Sequence, residues 1–243
     1  ATPRIVLQDL RLERVFSAAY KRYATQPVGR VVLKNTGEVD YSKLTLSFYI
    51  KGYMDFPSTQ EIPLLKANAT VEVPLYASFN NRILGIDEDT GVQAEVKLAF
   101  AQDGQQNFAE LARPMTIYGK NAILWVDAAM VGSFVTPKDD VLKDFARQTV
   151  TQYAPVTHLN ENLIKAMTWY DGLAAYGMKY LADPNSPYSK VHAEQVDYVQ
   201  FPRETLRVKS GDCDDLSVLL SAGLESLGIE TAMVDVPGHL FLM

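Results

Sequence analysis

The apolar period of this chain changes once along its length, and that change limits the folds it can adopt. Up to about residue 119 the signal alternates with period two. Val31-Val32-Leu33-Lys34 runs into the turn Asn35-Thr36-Gly37, and Leu44–Ile50, Val71–Leu75 and Val92–Leu98 each alternate. Turn signals separate them at Asp55-Phe56-Pro57, Lys66-Ala67-Asn68, Asp89-Thr90-Gly91 and Asp103-Gly104. Short strands at this spacing predict an antiparallel β-sandwich over residues 1–119. No cluster of His, Cys or paired acids in this half demands a catalytic explanation.

Beyond about residue 135 the period becomes helical. Thr136-Pro137-Lys138-Asp139 reads as an N-cap, a proline at N1 and an acid at N3. Val141, Leu142, Phe145, Thr149 and Tyr153 then mark one face. A second helix is predicted from Asn160 towards Leu181, with Leu163, Met167, Tyr170, Ala174 and Met178 on its apolar stripe. It ends before Asp183-Pro184, which opens a Pro/Ser/Asn loop to Ser189. A third carries Leu216, Leu219, Leu220, Leu224 and Leu227, with Gly228 as its C′ residue. A strand around Thr231–Val236, a Pro237-Gly238 turn and a strand starting at His239 follow. The predicted class is α+β, with a boundary between Ile117 and Phe134 and Trp125 packed between the halves.

Composition narrows the partners. A net charge of −6 with no basic run offers nothing to neutralise phosphates, so nucleic acid is not expected. No apolar stretch approaches the roughly 18–20 residues that span a bilayer. The one cysteine has no disulfide partner within the chain.

That cysteine lies in Gly211-Asp212-Cys213-Asp214-Asp215-Leu216, where a glycine turn hands over to a helix. Unpaired N–H groups and the helix dipole there favour a thiolate and lower a thiol pKa. A thiol nucleophile also needs a base, and a third group to hold that base in the right tautomer. His239 is the candidate base if its strand pairs beside the helix start, and the Cys213 N–H is the first candidate oxyanion donor. The bland alternative is a cysteine acting as a small buried hydrophobe and a structural histidine. His158 and His192 have no metal-ligand spacing to another His or Cys. Trp169, Tyr170, Tyr176 and Tyr180 fall on more than one helical face, as core residues or as a substrate platform.

Pro202-Arg203-Glu204-Thr205-Leu206, the Gly-Asp-Cys-Asp-Asp run, Leu227-Gly228-Ile229 and Pro237-Gly238-His239 together resemble the transglutaminase-like superfamily, in particular its bacterial cysteine-protease-like branch. The resemblance covers roughly residues 138–243 and is sharpest over 199–243. It implies a transglutaminase/papain-like module over residues 120–243, preceded by an immunoglobulin-like β-sandwich. Cys213 would be the nucleophile and His239 the base, with Gln200 at the polar position that assists upstream of the nucleophile. In the family an Asp or Asn on the following strand orients the histidine. The chain stops at Met243, so the module is expected to be truncated at its C-terminus, with the third triad member beyond it. Asp235 and Asp197 are in-chain substitutes by residue type alone.

Three readings of Asp212, Asp214 and Asp215 stay open. They are acids favouring a helix N-terminus, oxygen ligands for calcium as in some bacterial relatives, or a seat for a substrate amine. Unless His239 or a metal offsets them, they raise the thiol pKa. The implied function is thiol-dependent hydrolysis or acyl transfer on peptide or isopeptide amides, without an obligatory cofactor and with calcium optional. Hydrolysis is favoured, because nothing identifies an acyl-acceptor tunnel. The rival is a non-catalytic peptide- or protein-binding module on the same fold. The resemblance implies an extracytoplasmic, periplasmic or secreted bacterial setting. The strand from His239 to Met243 is expected to be a short exposed edge, open to self-association.

Overall fold

Alternating side chains become strands, and capped runs become helices, in two compact units that divide between Lys120 and Asn121. The computed structural model describes residues 4–152, 158–183 and 195–243. Tyr153, His192 and the Pro184–Ser189 part of the expected loop lie outside these residues. The class is α+β.

The N-terminal unit is built from β1 (Ile5–Leu12), β2 (Val15–Phe16), β3 (Gly29–Asn35), β4 (Tyr41–Ile50), β5 (Ser58–Leu65), β6 (Thr70–Leu75), β7 (Thr90–Gln102) and β8 (Gln105–Tyr118). One sheet runs β1-β3-β6 and the other β2-β8-β7-β4-β5. Pairing is antiparallel except for the short β2, which lies parallel to β8. Val31 and Leu33 of the first sheet share one apolar core with Leu44, Leu46, Val96 and Leu98 of the second. At the β7–β8 turn Asp103 and Gly104 both take positive φ, 53° and 74°. That geometry matches the twist of the flanking strands. Thr90 and Gly91 lie inside β7 rather than in the expected turn, because their backbone pairs with Ile117 and Thr116.

Asn35, fully buried, ties down the turn after β3. Its Nδ2 donates to the carbonyls of Val39 at 2.8 Å and Lys66 at 2.9 Å, and its Oδ1 accepts from the Gly37 N–H. Strand β5 escapes the alternation rule because it is an edge, and Pro63 sits where a missing N–H is tolerated.

The C-terminal unit contains β9 (Ala122–Leu124), a 3-10 segment Trp125–Phe134, α1 (Asp140–Thr151), α2 (Glu161–Tyr176), β10 (Lys179–Tyr180), β11 (Val196–Tyr198), α3 (Pro202–Val208), β12 (Ser210–Gly211), α4 (Cys213–Ser226), β13 (Met233–Val236) and β14 (His239–Leu242). The four helices share a core of Leu142, Ala146, Trp169, Leu173, Leu206, Leu219 and Ala222. Trp125 donates its Nε1–H to Asp197 at 2.7 Å, so its polar atom is satisfied inside this unit.

Three helix details differ from expectation. Thr136–Asp139 forms a turn closed by Asp139 N–H to Thr136 O, and Asp139 itself caps α1 through the Val141 and Leu142 amides. Helix α2 starts at the Asn160 cap as expected but stops at Gly177 (φ 95°), short of Leu181. Lys179-Tyr180 then pairs parallel with Ser210-Gly211. The expected stripe of α2 is turned outward: Leu163, Met167 and Tyr170 are exposed, while Thr168, Trp169 and Leu173 are buried. The helix is apolar on two sides, and the larger ring of Trp169 takes the interior.

Helix α3 escaped the sequence reading because its seven residues span too few turns to show a period. It opens on Pro202 at N1, and Glu204 accepts from the Phe201 N–H. Helix α4 closes with Gly228 N–H to Glu225 O and Ile229 N–H to Leu224 O, a Schellman pattern with Gly228 at C′.

Candidate active site

Helix α4 begins at Cys213, whose N–H falls among the first four and has no intrahelical partner. Asp212 occupies the N-cap position, yet its side chain caps nothing. It is hydrogen-bonded instead to Asp214. The opposite wall is the hairpin β13–β14, with Val236 facing His239 across the Pro237-Gly238 turn. Leu240 is buried against α4, and its carbonyl accepts from Ser217 Oγ at 3.3 Å. Its backbone N–H is directed at the Cys213 sulfur. The fold therefore brings the cysteine and histidine segments together through their backbones.

Their side chains are not joined. Among the described residues, no hydrogen bond links Cys213 to His239. His239 is exposed, and its ring stacks on Phe241 with centroids 6.0 Å apart. Period-two alternation explains this: Leu240 turns inward, so His239 and Phe241 share the outer face. Asp235 stands across from Leu240 in the strand register, and Asp197 accepts the Trp125 Nε1–H.

Cys213 is buried, with 8% of its surface exposed. Burial pushes its thiol pKa up, the N–H groups of Leu240 and Asp214 pull it down, and the charges of Asp214 and Asp212 add to the rise. The net direction is upward. The helix-terminus argument read from sequence is thus outweighed by desolvation and by the carboxylates beside the sulfur.

Gln200 is held in place by Asp215. Its backbone N–H and its Nε2 each donate to that carboxylate at 2.7 Å, and Nε2 also reaches Ser210 O at 3.4 Å. Both amide protons are therefore engaged, and the Cys213 N–H is the freer oxyanion donor. Burial pushes Asp215 up to about 6, against the opposing Gln200 N–H. Asp214 is pushed up to about 10, first by burial and then by its hydrogen bond to Asp212. At neutral pH Asp214 therefore keeps a proton and stays hydrogen-bonded to Asp212.

Asp212, Asp214 and Asp215 offer ligand oxygens within 4.8 Å of one another, all buried. This hard-oxygen set suits calcium by donor type.

His158 is exposed ahead of the Asn160 cap. Of the four aromatic residues left open by sequence, Trp169 is core. Tyr176 packs on Phe145 and carries the Lys209 ammonium 3.9 Å from its ring centroid. Tyr170 and Tyr180 are exposed and line one cavity. No helix among the described residues is long and apolar enough to cross a membrane.

No family model matches the chain. No curated protein matches it either. Among solved structures, it is similar to the solution structure of a late embryogenesis abundant (LEA) protein, at 16% identity over 48% of this chain and 71% of that chain, with a TM-score of 0.31. A likeness that slight carries no functional argument.

Proposed function

We propose that the C-terminal unit is a transglutaminase-like thiol module that hydrolyses, or transfers, peptide or isopeptide acyl groups, with an immunoglobulin-like sandwich ahead of it. The supporting observation is the meeting of the α4 start with β14, which sets the Cys213 sulfur against the Leu240 N–H beside His239. His239 would leave Phe241 and accept the thiol proton. A stacked aromatic pair is worth only about 0.5–1.5 kcal/mol, so that rotation is cheap. The thiolate would then attack the amide carbonyl, with the Cys213 N–H facing the oxyanion. The imidazolium would return its proton to the departing amine, leaving a thioester for water or another amine to resolve. An extracytoplasmic bacterial setting belongs to the same proposal.

A second reading, a non-catalytic peptide-binding module, is favoured by the burial and raised pKa of Cys213. Iodoacetamide alkylation across pH 4–9 separates the two. The enzyme reading expects labelling at pH 7 that slows at least about tenfold in His239→Ala, as loss of the pairing base removes thiolate. Labelling that rises only at the alkaline end, and is indifferent to His239, supports the binder.

Calcium, when bound, would be held by Asp212, Asp214 and Asp215 and would supply positive charge that relieves the carboxylate pressure on the thiol. At tenfold excess over its Kd, calcium should add about 1.4 kcal/mol of stability. Thermal melts with calcium or chelator check this, and the gain should vanish in Asp214→Asn. No stabilisation at millimolar calcium removes the metal from the proposal.

A further inference from the structure

We infer that the cavity between α2 and α4 is the side-chain subsite that admits an apolar residue flanking the bond attacked by Cys213. The inference rests on the thiol reading above and deepens it to a substrate class. The cavity holds about 200 Å³ and is lined by Tyr170, Leu173, Met178, Tyr180, Leu216 and Leu220. An apolar cavity of about 150 Å³ accommodates benzene, so this one accepts a leucine- or phenylalanine-sized side chain. Among the described residues, Lys179 is the one charged residue in its lining, which disfavours a cationic side chain.

Position ties the cavity to the nucleophile. Leu216 and Leu220 follow Cys213 by three and seven residues, on one face of the same helix. At 1.5 Å rise per residue they stand about 4.5 and 10 Å along the axis from it. An extended substrate spans about 3.3–3.6 Å per residue, so the residue beside the attacked bond reaches this wall. Tyr180 bridges the two places. It is in register with Gly211, and the Leu181 N–H bonds Gly211 O at 2.9 Å, two residues before Cys213. Its phenol pKa is pushed up, first by burial and then by the charges of Cys213, Asp212 and Asp214.

Exposure marks the cavity as a binding feature rather than a packing fault. Tyr170 and Tyr180 leave 63% and 64% of their surface in water at its rim, whereas Leu173 is 5% exposed at its floor. An apolar floor with an aromatic rim is what a side-chain subsite requires.

The test compares alkylation of Cys213 by acetyl-leucyl, acetyl-alanyl and acetyl-aspartyl chloromethyl ketones, each as a ratio to iodoacetamide. The leucyl reagent should exceed the alanyl one by at least about tenfold and the aspartyl one by more. Leu220→Trp, which fills the cavity, should bring the ratio towards one. Tyr180→Ala, an exposed change that spares the fold, should lower it as well.

A non-covalent arm uses Cys213→Ser and compares N-acetyl-leucinamide with N-acetyl-alaninamide by calorimetry. His239-dependent labelling with equal rates for all three ketones overturns the subsite and leaves the thiol reading standing. Leucinamide binding lost in Leu220→Trp, with labelling indifferent to His239, overturns the thiol reading and with it the subsite's role in selecting a bond. Absence of both preferences overturns the inference outright.

Discussion

Gly223→Ala should destabilise the C-terminal unit by about 3 kcal/mol or more, despite replacing a helical glycine with the best helix former. Gly223 lies within α4, and its bare Cα is the floor on which the Trp169 indole rests. A methyl group there would sit 2.5 Å from Trp169 Nε1 and closer still to the adjoining ring carbons. Those atoms cannot retreat. Trp169 is fully buried, packed edge-on against Phe145 at 5.8 Å and enclosed by Leu142, Leu173 and Leu206.

Alanine's propensity gain of about 1 kcal/mol is outweighed by the overlap. Trp169→Leu removes the ring and costs a large-to-small penalty of its own, but it also removes the obstacle. The double variant should therefore be markedly less damaged than the sum of the single changes. Urea unfolding of the four proteins measures that coupling. Additive losses would mean that Gly223 and Trp169 are not in contact. The packing also leaves Trp169 Nε1 as a buried donor with no hydrogen-bond partner among the described residues.

The second large effect is a loss of stability with rising pH. Asp214 and Asp215 bind protons more tightly folded than unfolded, with Asp215 pushed up to about 6 and Asp214 to about 10. The folded state therefore holds the extra protons, and its stability declines as pH rises. Their contribution is fully present below the ordinary aspartate value of about 3.9. For Asp215 it is lost by about pH 6, a span worth about 3 kcal/mol at 1.36 kcal/mol per unit. For Asp214 the loss continues through neutrality.

Asp214→Asn removes the group that carries the larger proton difference between the folded and unfolded states. The variant should gain on the parent by about 2 kcal/mol or more between pH 5 and pH 8. Urea midpoints at both pH values check this. A difference that stays constant, or moves towards the parent, would show that the three carboxyls are not held as a buried group.

Local chemistry was legible where it acts over a few residues. The turns at Asn35-Gly37 and Asp103-Gly104, the Asn160 cap and the Gly228 terminus follow from side-chain capping and positive-φ geometry that need no distant partner. Strand β4 and helix α4 could be read from their period. Strand β5 and helix α3 could not, because an edge strand need not alternate and seven residues show too little periodicity. The Cys213 and His239 segments stood out because their residue types flank turns.

Only the tertiary structure decided which face of each element is inside. Sequence offered two apolar sides of α2, and packing around Trp169 chose the one that leaves Leu163, Met167 and Tyr170 in water. It also decided the state of the site. A helix start by itself favours a thiolate, but burial, Asp212 and Asp214 together reverse the sign at Cys213. Capping and turn energies act within a few residues and so are written along the chain. Burial and electrostatic energies depend on which distant residues the fold assembles around a group.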